Sequence, residues 1–137
     1  MIDIVGRLRW IRDKVNSIFD TASALQVLQE TGGTITSDGN EQDVYRIETP
    51  MGTFEPIKVQ IDFTNQVAAG DTVVLREYYR IKSGGDLHKK TEKVIVGVQD
   101  PPVINIELEP NRFGIRVTLQ KTIGAALTYD WTVFSRS

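Results

Sequence analysis

A mainly β fold, with about eight strands in an antiparallel, jelly-roll-like sandwich behind one long N-terminal amphipathic helix, is what the sequence predicts. Three observations carry that expectation. Apolar residues recur at helical spacing from Ile4 to Leu25. Beyond Gly33 the period changes to two. Gly, Pro, Asn and Asp then punctuate the chain at roughly ten-residue intervals, with no helical stretch between them.

The helix comes first. With Leu8 at position a of a heptad, the seam reads Ile4, Leu8, Ile11, Val15, Ile18, Ala22 and Leu25, all apolar, while Arg9, Arg12, Asp13, Lys14, Asn16, Asp20, Thr21 and Ser23 fill the wetted remainder. Asp3 suits the N-cap, and Gly32–Gly33 suits the stop, because glycine takes the left-handed conformation that ends a helix. At about 1.5 Å per residue the rod is about 40 Å long. A seam spaced at 3.5 residues stays in register only beside a second helix, and the strand-rich remainder supplies none. The seam residues are therefore expected to oligomerise, and β-branched Ile4, Ile11 and Ile18 at d favour a homotrimer over a parallel dimer. Two other uses fit the stripe. Val5, Phe19, Val27 and Leu28 widen it enough to lie on its own sheet or in a groove of another protein. Trp10 with Arg7, Arg9 and Arg12 suits a membrane surface, against which Asp3, Asp13 and Asp20 weigh.

The strands follow. Asp38–Gly39 sits between two strand-like pieces and predicts a hairpin. Ile57, Val59, Ile61 and Phe63 alternate with Lys58, Gln60 and Asp62, giving one buried and one wetted face. The next strand sets Val73, Leu75, Tyr79 and Ile81 against Arg76, Tyr78 and Arg80. Ser83–Gly84–Gly85–Asp86 predicts a hairpin tip, and Pro101–Pro102 a crossing between sheets or an edge. Ile104, Ile106 and Leu108 form the next alternation, Phe113, Ile115, Val117 and Leu119 another, and Leu127, Tyr129, Trp131 and Val133 the last. The organisation expected is a helix over 1–31 and a sandwich domain over 34–137.

Composition narrows the function classes. Hydrophobic content of 40% and charged content of 25% over 137 residues suit one packed domain with an appendage. The net charge is −2, and neither Arg7–Lys14 nor His88–Lys93 dominates it, so no nucleic-acid partner is expected. No cysteine is present, which excludes disulfides, thiolate metal sites and a cysteine nucleophile. No apolar run approaches the roughly 18 residues a membrane span needs, and no signal-peptide core is evident.

The search for chemistry returns little. His88, the one histidine, lies beside Lys89 and Lys90 without a G-x-S-x-G elbow and reads as a solvated strand residue. The carboxylate pairs Glu41/Asp43 and Glu107/Glu109 are candidates for glycosidase work, yet residues two apart on a strand also form an ordinary charged patch. Asp38–Gly39–Asn40–Glu41 lacks the ligand alternation of a calcium loop, and Gly84–Gly85 lacks the Lys-Ser/Thr of a phosphate loop. Tyr45, Tyr78, Tyr79, Trp131 and Phe134 are candidates for a sugar-binding face if Tyr78 and a second aromatic are exposed and coplanar; core or interface packing is the commoner use. A non-enzymatic protein with no metal and no cofactor is expected.

The heptad-bearing helix followed by a compact β-sandwich resembles, in organisation, the small structural proteins of virus and phage particles: decoration or cement proteins, turret and fibre components. That resemblance implies a homo-oligomer located in the virion, whose partners are its own copies and other particle or capsid proteins. Without it, the absence of a leader suggests the cytoplasm. The competing expectation is a carbohydrate- or protein-binding sandwich module with the helix folded back on its sheet.

Overall fold

The computed structural model describes residues 28–48 and 55–136. They form eight strands: β1 (Leu28–Thr36), β2 (Gln42–Ile47), β3 (Glu55–Asp62), β4 (Thr72–Arg80), β5 (Leu87–Val96), β6 (Val103–Glu107), β7 (Ile115–Ile123) and β8 (Thr128–Arg136). Every pairing is antiparallel. One sheet runs β1-β8-β3-β6, the other β2-β7-β4-β5. Among the described strands only β4 and β5 are both consecutive and paired, around the Gly84 turn, whose φ of 68° suits glycine. Every other connection crosses from one sheet to the other.

The alternation expected for β3 is what closes the sandwich. Val59, Ile61 and Phe63 are buried, while Lys58, Gln60 and Asp62 face outward. Tyr129 and Val133 of β8 join them from the same sheet, and Ile115, Val117 and Leu119 of β7 with Val73, Leu75 and Tyr79 of β4 meet them from the opposite one. Phe63 and Tyr129 meet with ring centroids 5.3 Å apart, a tilted aromatic pair at the core. Fully burying one such large apolar side chain stabilises the fold by about 1.5–3 kcal/mol. Ile81 departs from its expected place: it lies beyond the end of β4 and is 77% exposed.

Two expectations are corrected at β1. Leu28–Thr36 is strand, so residues 28–31 are not the end of a helix. Gly32 and Gly33 accordingly stop nothing; they lie mid-strand, opposite Thr132 and Trp131. Packing requires them there. A Cβ on Gly32 would stand 2.7 Å from the Trp131 carbonyl oxygen, and one on Gly33 would stand 3.2 Å from the Trp131 indole. The bare backbone gives the ring its seat. The Asp38–Gly39 turn also exists, with Gly39 at φ 84°, but it joins strands of different sheets and is no hairpin. Ser37 explains the crossing: its N–H donates to Leu127 O and its Oγ accepts from Leu127 N–H, both at 2.9 Å. Those bonds finish the β1–β8 ladder before the chain leaves for β2.

The seam residues Ile4, Leu8, Ile11, Val15, Ile18, Ala22 and Leu25 lie outside the described residues. Among the described residues no helix is long and apolar enough to cross a membrane.

Candidate functional site

The outer face of the β2-β7-β4-β5 sheet can be read row by row from its register. On β4, Thr72 lies between Val96 and Ile123, Val74 between Val94 and Gln120, Arg76 between Glu92 and Thr118, and Tyr78 between Lys89 and Arg116. The first two rows make an apolar stripe in which Val94, Val96 and Ile123 are each more than half exposed. The last two rows make a charged lattice. Arg76 donates to Glu92 at 2.7 Å, Gln120 at 2.8 Å and Glu41 at 3.3 Å. Tyr78 donates its hydroxyl to Glu41, and the Arg116 guanidinium lies 5.3 Å from the Tyr78 ring while pairing with Asp43. Arg80 and Arg46 share Glu48.

The titrations follow these partners. Hydrogen bonds from Arg80 and then Arg46 hold the Glu48 carboxyl below its usual range, and the bond from Arg76 does the same for Glu92. Burial, then the Glu41 bond, raises the Tyr78 phenol. The arginines of this face thus carry their own counter-charges.

The carboxylate pairs singled out from the sequence are divided by this geometry. Glu41 serves Arg76 and Tyr78, Asp43 serves Arg116, and Glu109 pairs with Lys90, leaving Glu107 at the edge of β6. His88 is exposed on β5 opposite Tyr79. The aromatics are divided too. Tyr45, Tyr79 and Trp131 pack against the core, Tyr78 faces out from one sheet, and Phe134, under Lys58 at 5.3 Å, belongs to a strand of the other. No coplanar exposed pair forms among them. No group of histidine, aspartate and glutamate able to hold a metal occurs among the described residues.

Two of the recesses among the described residues are lined by buried charged groups. The first is a slot of about 190 Å³ at the open edge between β5 and β6, lined by Leu75, Glu77, Thr91, Lys93, Asn105 and Ile106 among others. Glu77 faces inward between Leu75 and Tyr79 and is only 7% exposed. Its carboxylate accepts from Thr91 and, at 3.4 Å, from the Tyr79 hydroxyl, which in turn accepts from Glu109 N–H at 3.1 Å. Burial pushes the Tyr79 phenol up to about 12.

The second recess, about 250 Å³, opens at the end of the sandwich where the β1–β2 and β7–β8 connections meet; Ser37, Asp38, Gly39, Lys121, Gly124 and Ala126 line it. Lys121 extends the inward period of Ile115, Val117 and Leu119, and its side chain is 2% exposed. Asp71 lies 3.4 Å from the ammonium as an ion pair. Asp71 is fixed by its backbone: its N–H donates to Ala68 O, and its carbonyl accepts from Gly97 N–H and the Gln66 amide. Gln66 is fully buried, donates also to Gly97 O at 2.9 Å, and accepts from the Tyr129 hydroxyl at 3.1 Å. Burial, with Asp71 nearby, pushes the Tyr129 phenol up to about 12. Gly124, at φ 106°, must be glycine, because a Cβ would run into the Asp71 carboxylate.

Sequence reasoning singled out none of Glu77, Gln66, Asp71 and Lys121 as functional. A signal was present for two of them: Glu77 and Lys121 are charged residues at in-phase, core-facing positions of otherwise apolar alternations, where a buried charge needs a partner. Gln66 and Asp71 sit in a connection, where periodicity is silent. The chain matches no protein-family model and no curated protein sequence.

Proposed function

We propose that the protein is a non-enzymatic structural component of a virus-like particle, a homotrimer tied by its N-terminal heptad seam, with a jelly-roll sandwich as the unit that decorates or reinforces the particle surface. The observation that carries this reading is the strand order. The sheets β1-β8-β3-β6 and β2-β7-β4-β5 have the order that two interleaved Greek keys produce, and eight-stranded jelly rolls build viral capsid and lectin domains. Fold alone does not assign a role. Surface chemistry adds support: exposed Val94 and Val96 of β5 and Ile123 of β7 flank β4 on one face, and such patches mark association surfaces when contiguous. The lattice around Arg76 ties all four strands of that sheet together, which suits a rigid tile.

Clustering three sandwiches makes weak single contacts sufficient, since each contact after the first is intramolecular. The competing reading, a sugar-binding module with an aromatic platform, has less support, because the five candidate aromatics share no exposed face. The test uses Ile11→Asp combined with Ile18→Asp, which places charges in the seam. Light scattering should show the variant at the 15.4 kDa monomer mass, with the β-type circular dichroism of the wild type. Equal masses for variant and wild type contradict the seam. Mass spectrometry of purified particles from the source should recover this chain in fixed ratio to the major shell protein; its absence contradicts the particle role.

A further inference from the structure

We infer that the open edge of β1 pairs antiparallel with the open edge of β2 in a neighbouring copy, so that the sandwiches as well as the seam close the trimer. The inference rests on the trimer proposed above and names a second surface through which its copies meet.

The starting point is how differently the sandwich treats its two sides. Each sheet has two edge strands, and the four lie in pairs: β5 beside β6, with the slot lined by Thr91, Lys93 and Asn105 between them, and β1 beside β2, joined by residues 37–41. An unpaired edge offers a row of N–H and C=O groups to any extended chain, and proteins guard such edges with lysine, proline, bulges or brevity. The β5–β6 side is guarded. β5 exposes Lys89, Lys90 and Lys93 and has a register shift opposite Glu77 and Tyr78. β6 is five residues long and follows directly on Pro101–Pro102. The strands of the β1–β2 side hold neither lysine nor proline. β1 is the extreme case: nine residues in unbroken register with β8, all but Ile35 exposed, and Glu30 its one charge. A strand edge so long, regular and bare invites association.

The course of the chain selects the occupant. The seam ends at Leu25 and β1 starts at Leu28, so a three-fold axis through the seam brings the β1–β2 sides of all three copies together. Symmetry then selects the pairing. Two β1 edges pair with each other only about a two-fold axis, whereas a three-fold contact joins different surfaces. β1 therefore meets the other open edge on that side, β2 of the next copy. Direction and charge agree. Residues 37–41 join Thr36 to Gln42 at one end of the sandwich, so β1 and β2 run opposite ways and Leu28 and Ile47 both lie at the other end. In copies set parallel about the axis, β1 of one is antiparallel to β2 of the next, and Glu30 lies toward the same end as the exposed Arg46.

The experiment is amide hydrogen exchange by NMR on the full chain, with its mass followed by light scattering. In an open edge strand alternate amides point to solvent and exchange freely, while in a paired strand both sets are protected. The trimeric wild type should protect both sets in β1 and β2. In the Ile11→Asp, Ile18→Asp variant the outward amides of both strands should exchange faster by about tenfold or more, with β4 and β7 unchanged. Thr31→Lys places an edge-guarding charge at an exposed position of β1 and leaves the seam intact. It should release the same amides without changing the mass. The inference is overturned, with the trimer standing, if the outward amides of β1 or of β2 exchange as fast in a trimeric wild type as in the seam variant, or if Thr31→Lys leaves them as protected as before. A monomeric wild type overturns the trimer and the pairing together.

Discussion

Two polar networks of this molecule use the same kinds of side chain in opposite surroundings. On the outer sheet face, Arg76 and Tyr78 of β4, Glu92 of β5 and Glu41 just before β2 meet with water on one side. At the loop end, Gln66, Tyr129, Asp71 and Lys121 meet with almost none. Exposed ion pairs contribute little, because water solvates the separated partners nearly as well. Buried groups behave differently: once desolvated, each unmet donor or acceptor costs about 1–3 kcal/mol. The outer lattice should thus be tolerant and salt-sensitive, and the inner one intolerant and salt-insensitive.

The largest effect expected bears on where the fold begins. A chain of residues 28–137 should keep β-type circular dichroism and cooperative unfolding. One starting at residue 34 loses Leu28–Gly33 of β1 and the backbone that seats Trp131, and should be unfolded or nearly so at 25 °C. Equal stability of the two would contradict the placement of β1.

Next comes Gln66→Leu. It removes two amide donors and the acceptor of the Tyr129 hydroxyl, and should cost about 2–4 kcal/mol. Urea titration should show a lower midpoint at an unchanged slope. A loss no greater than that of a surface substitution would refute the distinction between the networks.

Alkaline titration separates the regions in another way. Burial pushes Tyr45, Tyr79 and Tyr129 up to about 12, from an ordinary value of 10.0. A folded-state value above the unfolded one means that the folded chain holds the proton more tightly. Their stabilisation is complete below the unfolded value and is lost as pH rises from about 10 towards 12. Urea midpoints at pH 9 and pH 11.5 should therefore differ, with the lower value at pH 11.5. Glu48 and Glu92 work in the opposite direction, since their lowered values contribute above the usual carboxylate range and that contribution fades in acid.

Arg76→Ala should have the smallest effect. Despite three partners it sits at a solvated face, so a loss of about 1 kcal/mol is expected, shrinking in 1 M salt. A salt-independent loss as large as that of Gln66→Leu would show that the outer lattice is effectively buried.

The parts of this architecture legible in the sequence are those set by neighbours along the chain. Val59, Ile61 and Phe63 announce their buried face through a period of two, and the Gly84 hairpin announces itself through turn chemistry. What stayed hidden depends on distant residues. Nothing local says that Thr36 should end against Thr128, so the Asp38–Gly39 turn reads as a hairpin although it crosses between sheets. Gly32–Gly33 reads as a helix stop because its reason, the indole of Trp131, is about a hundred residues away. The candidate site shares this property. Lys121 and Glu77 were visible only as charges out of keeping with their alternation, and their partners come from other strands and connections. Strand order, on which the functional reading leans, is a set of such distant pairings.

The central claim is association, and the mass of the intact chain in solution tests it most directly. Light scattering across a hundredfold range of concentration should give three times 15.4 kDa, holding steady on dilution to the micromolar range. A constant 15.4 kDa throughout would contradict it and leave the sandwich to act alone.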